Sequence, residues 1–137
     1  MSTRHEEIVS KIILDWSKDN RGRLFKNHQG QAWTGKTHSV IGDKFALMLE
    51  YPRKITFGLA VGSSDLIGWE YISFIDLDGN TIRIPVFCSI EVKTKASPKL
   101  TMEQILWVNN IANIGGRAYT AREKDDGYFL REWDVRE

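Results

Sequence analysis

Asp65 stands at the end of Gly62-Ser63-Ser64 and in front of the apolar Leu66-Ile67, where a turn hands over to a strand. Glu91 and Lys93 close a long strand-like run, two residues apart and so on one face of it, with Val92 between them on the other. Gln104 lies near the start of a helical pattern, on a stripe with Val108 and Ile111. Two carboxylates on neighbouring strands can hold one divalent ion, and oxygen donors with retained waters point to Mg²⁺ or Mn²⁺ over zinc. A lysine beside such an ion can position water or offset charge building on a phosphate. Metal-bound water is acidic enough to serve as a nucleophile near neutral pH. Together these are the parts needed to cleave a phosphodiester.

Each residue also has an ordinary structural role. Asp65 can bond local backbone N–H groups in a turn. Glu91 and Lys93 can be an ion pair on a solvated sheet, although the apolar run before them indicates an interior strand. Gln104 stands three residues after Thr101, the spacing of a capping box, and one side chain is not expected to serve both that box and a site. Glu6 and Glu7 open an N-terminal helix, where either favours the helix dipole. Successive helical residues advance by ~100°, which places Glu6 on the flank of the Ile8/Ile12/Trp16 stripe and Glu7 nearly opposite it.

The elements that must position these groups follow from periodicity. Ile8, Val9, Ile12, Ile13 and Trp16 make one apolar helical stripe over residues 4–18, stopped by Asn20 and Gly22. Residues 23–27 read as a short strand, 28–38 as a polar loop with two glycines, and 44–49 and 54–60 as strands around Pro52. Residues 65–76 and 81–94 form a hairpin about Asp78-Gly79-Asn80. Pro85 implies a bulge, a break or an edge. A helix over 101–114 ends at Gly115-Gly116, and strands at 117–122 and 127–131 complete the chain. This order predicts an α/β fold with a sheet at its centre.

With 137 residues, the length suits one domain over residues 1–137, able to bury a core without a disulfide or structural metal. Cys88 is the sole cysteine, which excludes an intrachain disulfide and fits a reducing compartment. His5, His28 and His38 are scattered, with no pair at zinc-binding spacing. No apolar run reaches the ~20 residues of a membrane span, and the polar N-terminus is unlike a signal peptide. The expectation is a soluble, cytoplasmic protein with no membrane partner.

The net charge of +1 argues weakly against nucleic acid until it is resolved by segment. Residues 18–54 carry Lys18, Arg21, Arg23, Lys26, Lys36, Lys44, Arg53 and Lys54 against Asp19, Asp43 and Glu50. Residues 93–99 add Lys93, Lys95 and Lys99 with no acid. Lys26, Lys36, Lys44, Lys95 and Lys99 are therefore candidate phosphate contacts. Trp33, between Gly30 and Gly35 in that polar loop, can stack on a base, pack at a dimer interface or simply bury itself in packing of the loop. Acidic stretches at 65–80 and 123–137 offset this basic charge, so near-neutrality is compatible with a nucleic-acid partner.

Taken in order, Gly62-Ser63-Ser64-Asp65-Leu66-Ile67-Gly68, Ile90-Glu91-Val92-Lys93-Thr94, Lys99-Leu100-Thr101-Met102-Glu103-Gln104 and Gly115-Gly116-Arg117-Ala118 resemble the virus-type replication-repair nuclease (VRR-NUC) family of the PD-(D/E)XK superfamily. Phe25-Lys26-Asn27 with Gly30 resembles the strand and turn after that family's first helix. Ser64 stands where the superfamily name has proline. The resemblance spans roughly Glu6 to Arg122. It implies a restriction-endonuclease-like core, a mixed central sheet flanked by helices, with Asp65, Glu91, Lys93 and Gln104 as catalytic residues. It further implies that Glu6, with Val9 and Ile13 at +3 and +7, joins Asp65, Glu91 and the Val92 backbone carbonyl in holding Mg²⁺ or Mn²⁺. Stand-alone, often phage-encoded members resemble homodimeric Holliday-junction resolvases, which implies a branched-DNA substrate, a homodimer and the cytoplasm of a bacterial cell or infected host. Flap, single-strand or sequence-specific cleavage would use the same chemistry, and a non-catalytic DNA-binding module would use the same fold.

Overall fold

The computed structural model describes residues 2–28, 30–40 and 47–135; for 31–33, 36–40, 47–50, 55 and 57 the description is of the main chain. The elements are α1 (Arg4–Lys18), β1 (Gly22–Lys26), β2 (Gly30–Val40), β3 (Leu47–Phe57), β4 (Leu66–Ile75), β5 (Thr81–Lys93), α2 (Met102–Asn113), β6 (Arg117–Lys124) and β7 (Gly127–Glu132). The chain falls into two compact units, Met1–Asn27 with Val61–Glu137, and His28–Ala60.

The larger unit is an α/β structure around a mixed five-stranded sheet in the order β1-β4-β5-β6-β7. Only the β5–β6 pair is parallel, and α2 makes the crossover between them. A parallel pair requires such a crossover. Side chains alternate between the two faces of a strand. Cys88, Ile90 and Val92 of β5, with Tyr119 and Ala121 of β6, pack with Ile8, Val9, Ile12 and Trp16 of α1. On the other face Ala118 packs with Val108 and Ile111 of α2. With a helix on each side, all six residues from Cys88 to Lys93 are buried. That is why the second half of β5 reads as an interior strand. Fully burying Ile8, Ile12, Leu66 and Ile90 contributes ~1.5–3 kcal/mol each.

Helix α1 begins with a capping box: Thr3 Oγ1 accepts from Glu6 N at 3.2 Å, and the Glu6 carboxylate accepts from Thr3 N at 2.9 Å. Helix α2 repeats the device with Thr101 and Gln104. In the β4–β5 hairpin, Asp76 Oδ1 accepts from Asp78 N and Asn80 N, and Gly79 takes φ 82°. Pro85 causes no register shift opposite Tyr71. Tyr71 N donates toward β1, to Arg21 O, so the Tyr71–Pro85 pair exchanges no ladder bond. The N–H that proline lacks would point to the edge beyond the start of β6, so the edge position is the one realised.

The smaller unit corrects the expected loop at 28–38. Gly30–Val40 is a strand, paired antiparallel with β3. Threonine, valine and tryptophan suit a strand, and pairing satisfies the backbone whatever the polarity of the side chains. The two strands expected around Pro52 are one, Leu47–Phe57, while residues 44–46 lie outside the described residues and 58–60 are not strand. Pro52 is accommodated by a bulge: Thr34 opposes Arg53 and Lys36 opposes Glu50, so Gly35 faces both Tyr51 and Pro52. Tyr51 adopts φ 52° there, and its side chain is exposed. Among the described residues no helix is long and apolar enough to cross a membrane.

Candidate functional site

Asp65 is fixed by its neighbours in chain and space. Asn27 N donates to Asp65 O at 2.8 Å, and Asn27 Nδ2 donates to Ser63 Oγ at 2.8 Å and Ser64 O at 2.9 Å. The next residue, Leu66, pairs with Ile90, so Asp65 sits beside the Glu91 end of β5. Its carboxylate Oδ2 accepts from Val92 N at 2.8 Å. Its Oδ1 lies 3.3 Å from His5 Nε2.

Glu91 lies on the α2 side of β5 and is only 3% exposed. Gln104 Nε2 donates to Glu91 Oε1 at 2.7 Å, and Lys93 Nζ stands 3.7 Å from the same oxygen. Glu91 Oε2 is buried with no hydrogen-bond partner, as is Ser64 Oγ. Burial first, then the Asp65 carboxylate, push Glu91 up to about 8, while Lys93 pulls the other way. His5, Asp65, Glu91, Val92, Lys93, Thr94, Ser97 and Gln104 line a cavity of about 200 Å³ at this end of the sheet.

Five of the residues singled out in the sequence thus converge: Asp65, Glu91, Val92, Lys93 and Gln104. Gln104 corrects the expectation that one side chain cannot serve two roles, because its amide has two ends. Oε1 accepts from Thr101 N at 2.9 Å in the capping box, leaving Nε2 for Glu91. Glu6 is not brought to the cavity; its carboxylate turns back to Thr3 N. Its neighbour His5 is there instead. The missed signal is the helical spacing His5, Ile8, Ile12, Trp16, which continues the buried stripe one turn toward the N-terminus. Lys26, Lys95 and Lys99 are exposed. Lys44 and the side chains of Lys36 and Trp33 lie outside the described residues, although Trp33 itself is in β2 and not a loop.

Around the cavity, Glu123 ties two segments together. It bonds Arg4 Nε at 3.1 Å, next to His5, and Lys95 N at 2.8 Å, in the turn after Lys93. These bonds hold the Glu123 carboxyl below its usual range, the Lys95 backbone bond most of all. The buried thiol of Cys88 is pushed up to about 12 by burial, which makes it unreactive.

The donor set suits a hard divalent cation. Two carboxylates crowd each other, and one buried oxygen of Glu91 lacks a partner. Among the described residues no group of three or more His, Cys, Asp or Glu side chains forms a ready-made metal cage. Mg²⁺ needs none, since it commonly keeps several waters and takes one or two carboxylates. No protein-family model and no curated protein matches this chain.

Proposed function

We propose that this protein is a Mg²⁺- or Mn²⁺-dependent endonuclease with a PD-(D/E)XK-like core, hydrolysing phosphodiester bonds in branched DNA. The observation that carries the reading is the pairing of Asp65 with a buried Glu91 that has one oxygen unpartnered, beside Lys93 and Gln104. Asp65, Glu91 and the Val92 carbonyl would hold the ion, which supplies a more acidic water and charge stabilisation at the phosphate. Gln104 holds Glu91 through Oε1, so Oε2 is the oxygen left for the site. Lys93, buried beside Glu91, would orient a water or offset charge on a phosphate oxygen. The exposed Lys26, Lys95 and Lys99 suit phosphate contacts, with Lys36 and Lys44 of the basic segment. A homodimer would set two such centres on symmetry-related strands, which suits a four-way junction.

The test is a cleavage panel of junction, flap, duplex and single-stranded DNA with Mg²⁺ or Mn²⁺. The junction should be cut best. Glu91→Gln and Lys93→Ala should each lower the rate about a hundredfold or more while leaving the circular dichroism spectrum and much of the DNA binding intact. Undiminished cutting by both variants would overturn the mechanism, and sedimentation of the full chain checks the dimer.

A further inference from the structure

We infer that His5 supplies a nitrogen donor to the cation site, beside Asp65, and that this donor makes the site select Mn²⁺ over Mg²⁺. The inference rests on the cation-dependent reading above for the presence of an ion; the identity of the donors is a separate matter, carried by different observations.

Three features of α1 place His5 there. Ile8 and Ile12, three and seven residues on, are buried in the core, so the face that carries His5 is the docked face. Arg4, immediately before it, is held by Glu123 at 3.1 Å and by Asp125 O at 2.9 Å. The carboxylates that follow are occupied elsewhere: Glu6 with Thr3 N, and Glu7 with Arg4 and Ser2. Helix α1 therefore brings an imidazole to the cavity and no carboxylate.

The two donors also match a shared ion. Asp65 Oδ2 is taken by Val92 N–H, while Oδ1 is paired with the His5 imidazole in the ion-free protein, a contact that a bound cation would replace. It is Oδ1 that lies 3.3 Å from His5 Nε2. That separation is an ion-pair contact in the ion-free protein, and it keeps both atoms near enough to serve one cation together. Glu91 lines the same cavity, but among the described residues it does not close with His5 and Asp65 into one three-donor group, so the nitrogen of His5 and the oxygen of Asp65 carry the inference and waters would complete the shell. Imidazole suits first-row transition metals, whereas Mg²⁺ favours oxygen donors and gives up water reluctantly. A site with one nitrogen donor discriminates between the two ions on that ground.

The experiment loads the full-length protein with Mn²⁺ alone for pulsed electron paramagnetic resonance. Mn²⁺ affinity is read from the signal of the free ion, and Mg²⁺ affinity from competition. Wild type should show nitrogen hyperfine coupling and bind Mn²⁺ at least about tenfold more tightly than Mg²⁺. His5→Ala should lose the coupling and most of that preference. His5→Gln, which keeps a hydrogen-bonding group facing Asp65, should lose the coupling as well. Glu6→Gln, which preserves the capping box, should change neither readout. Absence of coupling in wild type, or its persistence in both His5 variants, overturns the assignment, as does a wild type that binds neither ion. Junction cleavage by a wild type without nitrogen coupling would remove the histidine ligand and leave the nuclease standing. Coupling lost on mutation of His5, in a protein that cuts no DNA, supports the ligand and removes the nuclease.

Discussion

Gln104 joins the first turn of α2 to the buried carboxylate of Glu91 through the two ends of one amide. Its Oε1 caps the helix at Thr101 N, 2.9 Å away, and its Nε2 donates to Glu91 Oε1 at 2.7 Å. The geometry fixes the amide orientation, because a backbone N–H requires the oxygen and a carboxylate requires the nitrogen. Gln104→Ala removes both bonds. It should cost about 1 kcal/mol for the cap plus about 1–3 kcal/mol for the stripped carboxylate oxygen. Thr101→Ala should cost the cap alone. Equal losses for the two variants in urea unfolding would mean that the bond to Glu91 contributes nothing.

The pH dependence of stability follows from Glu91. Its carboxyl holds a proton in the folded, ion-free protein up to about 8, against 4.5 for an ordinary glutamate. Between those values the folded chain binds the extra proton, so this contribution is complete below about 4.5 and is lost as pH rises through about 8. Thermal midpoints measured in a chelator should fall across that window. Glu91→Gln should flatten the fall. Saturating Mn²⁺ should oppose it, since binding needs the deprotonated carboxylate.

Gly62 lets the segment leading to Asp65 approach α2. It has φ 86°, and a Cβ there would stand 2.4 Å from the Glu103 carbonyl carbon. Gly79 has a similar φ of 82° but open space around it. Gly79→Ala should therefore cost only the left-handed backbone penalty, about 1–2 kcal/mol. Gly62→Ala should cost more and also weaken Mn²⁺ binding, because the displaced segment carries Asp65. Denaturation and metal titration of the two variants side by side check both statements.

Charge reversal tests the cationic surface. Lys95→Glu with Lys99→Glu should weaken DNA binding and reduce the slope of log affinity against log salt by about 0.9 for each phosphate that is no longer neutralised. Lys36→Glu with Lys44→Glu applies the same test to the basic segment. An unchanged slope in a salt titration would identify these lysines as solvated surface.

What is legible in the sequence depends on whether one element or two set the outcome. The α1 stripe from Ile8 to Trp16, the long β5 run and the Thr101 capping box are local patterns, and each is realised. The convergence of Asp65, Glu91, Lys93 and Gln104 is also readable, since ordered motifs identify the residues without knowledge of their contacts. His5 is not readable as a scattered histidine; its meaning comes from Asp65, sixty positions away, to which the docked stripe delivers it. Strand β2 escapes because polarity and two glycines suggest a loop, while backbone pairing with β3 decides the matter. Glu6 is ambiguous in the sequence because a carboxylate in the first turn of a helix serves a cap as readily as a cation, and here it caps Thr3 N.

The chain leaves the larger unit after Asn27 and re-enters it at Val61. Bonds from Asn27 to Ser63, Ser64 and Asp65 hold both ends of that excursion together. The entropy of closing a loop grows only with the logarithm of its length, about 0.6 kcal/mol for each doubling. Over evolutionary time, residues 28–60 can therefore be lengthened, shortened or exchanged at little thermodynamic expense while Asp65 keeps its anchorage. The excursion and the anchorage of Asp65 thus belong to different stretches of chain, so either can change without dismantling the other.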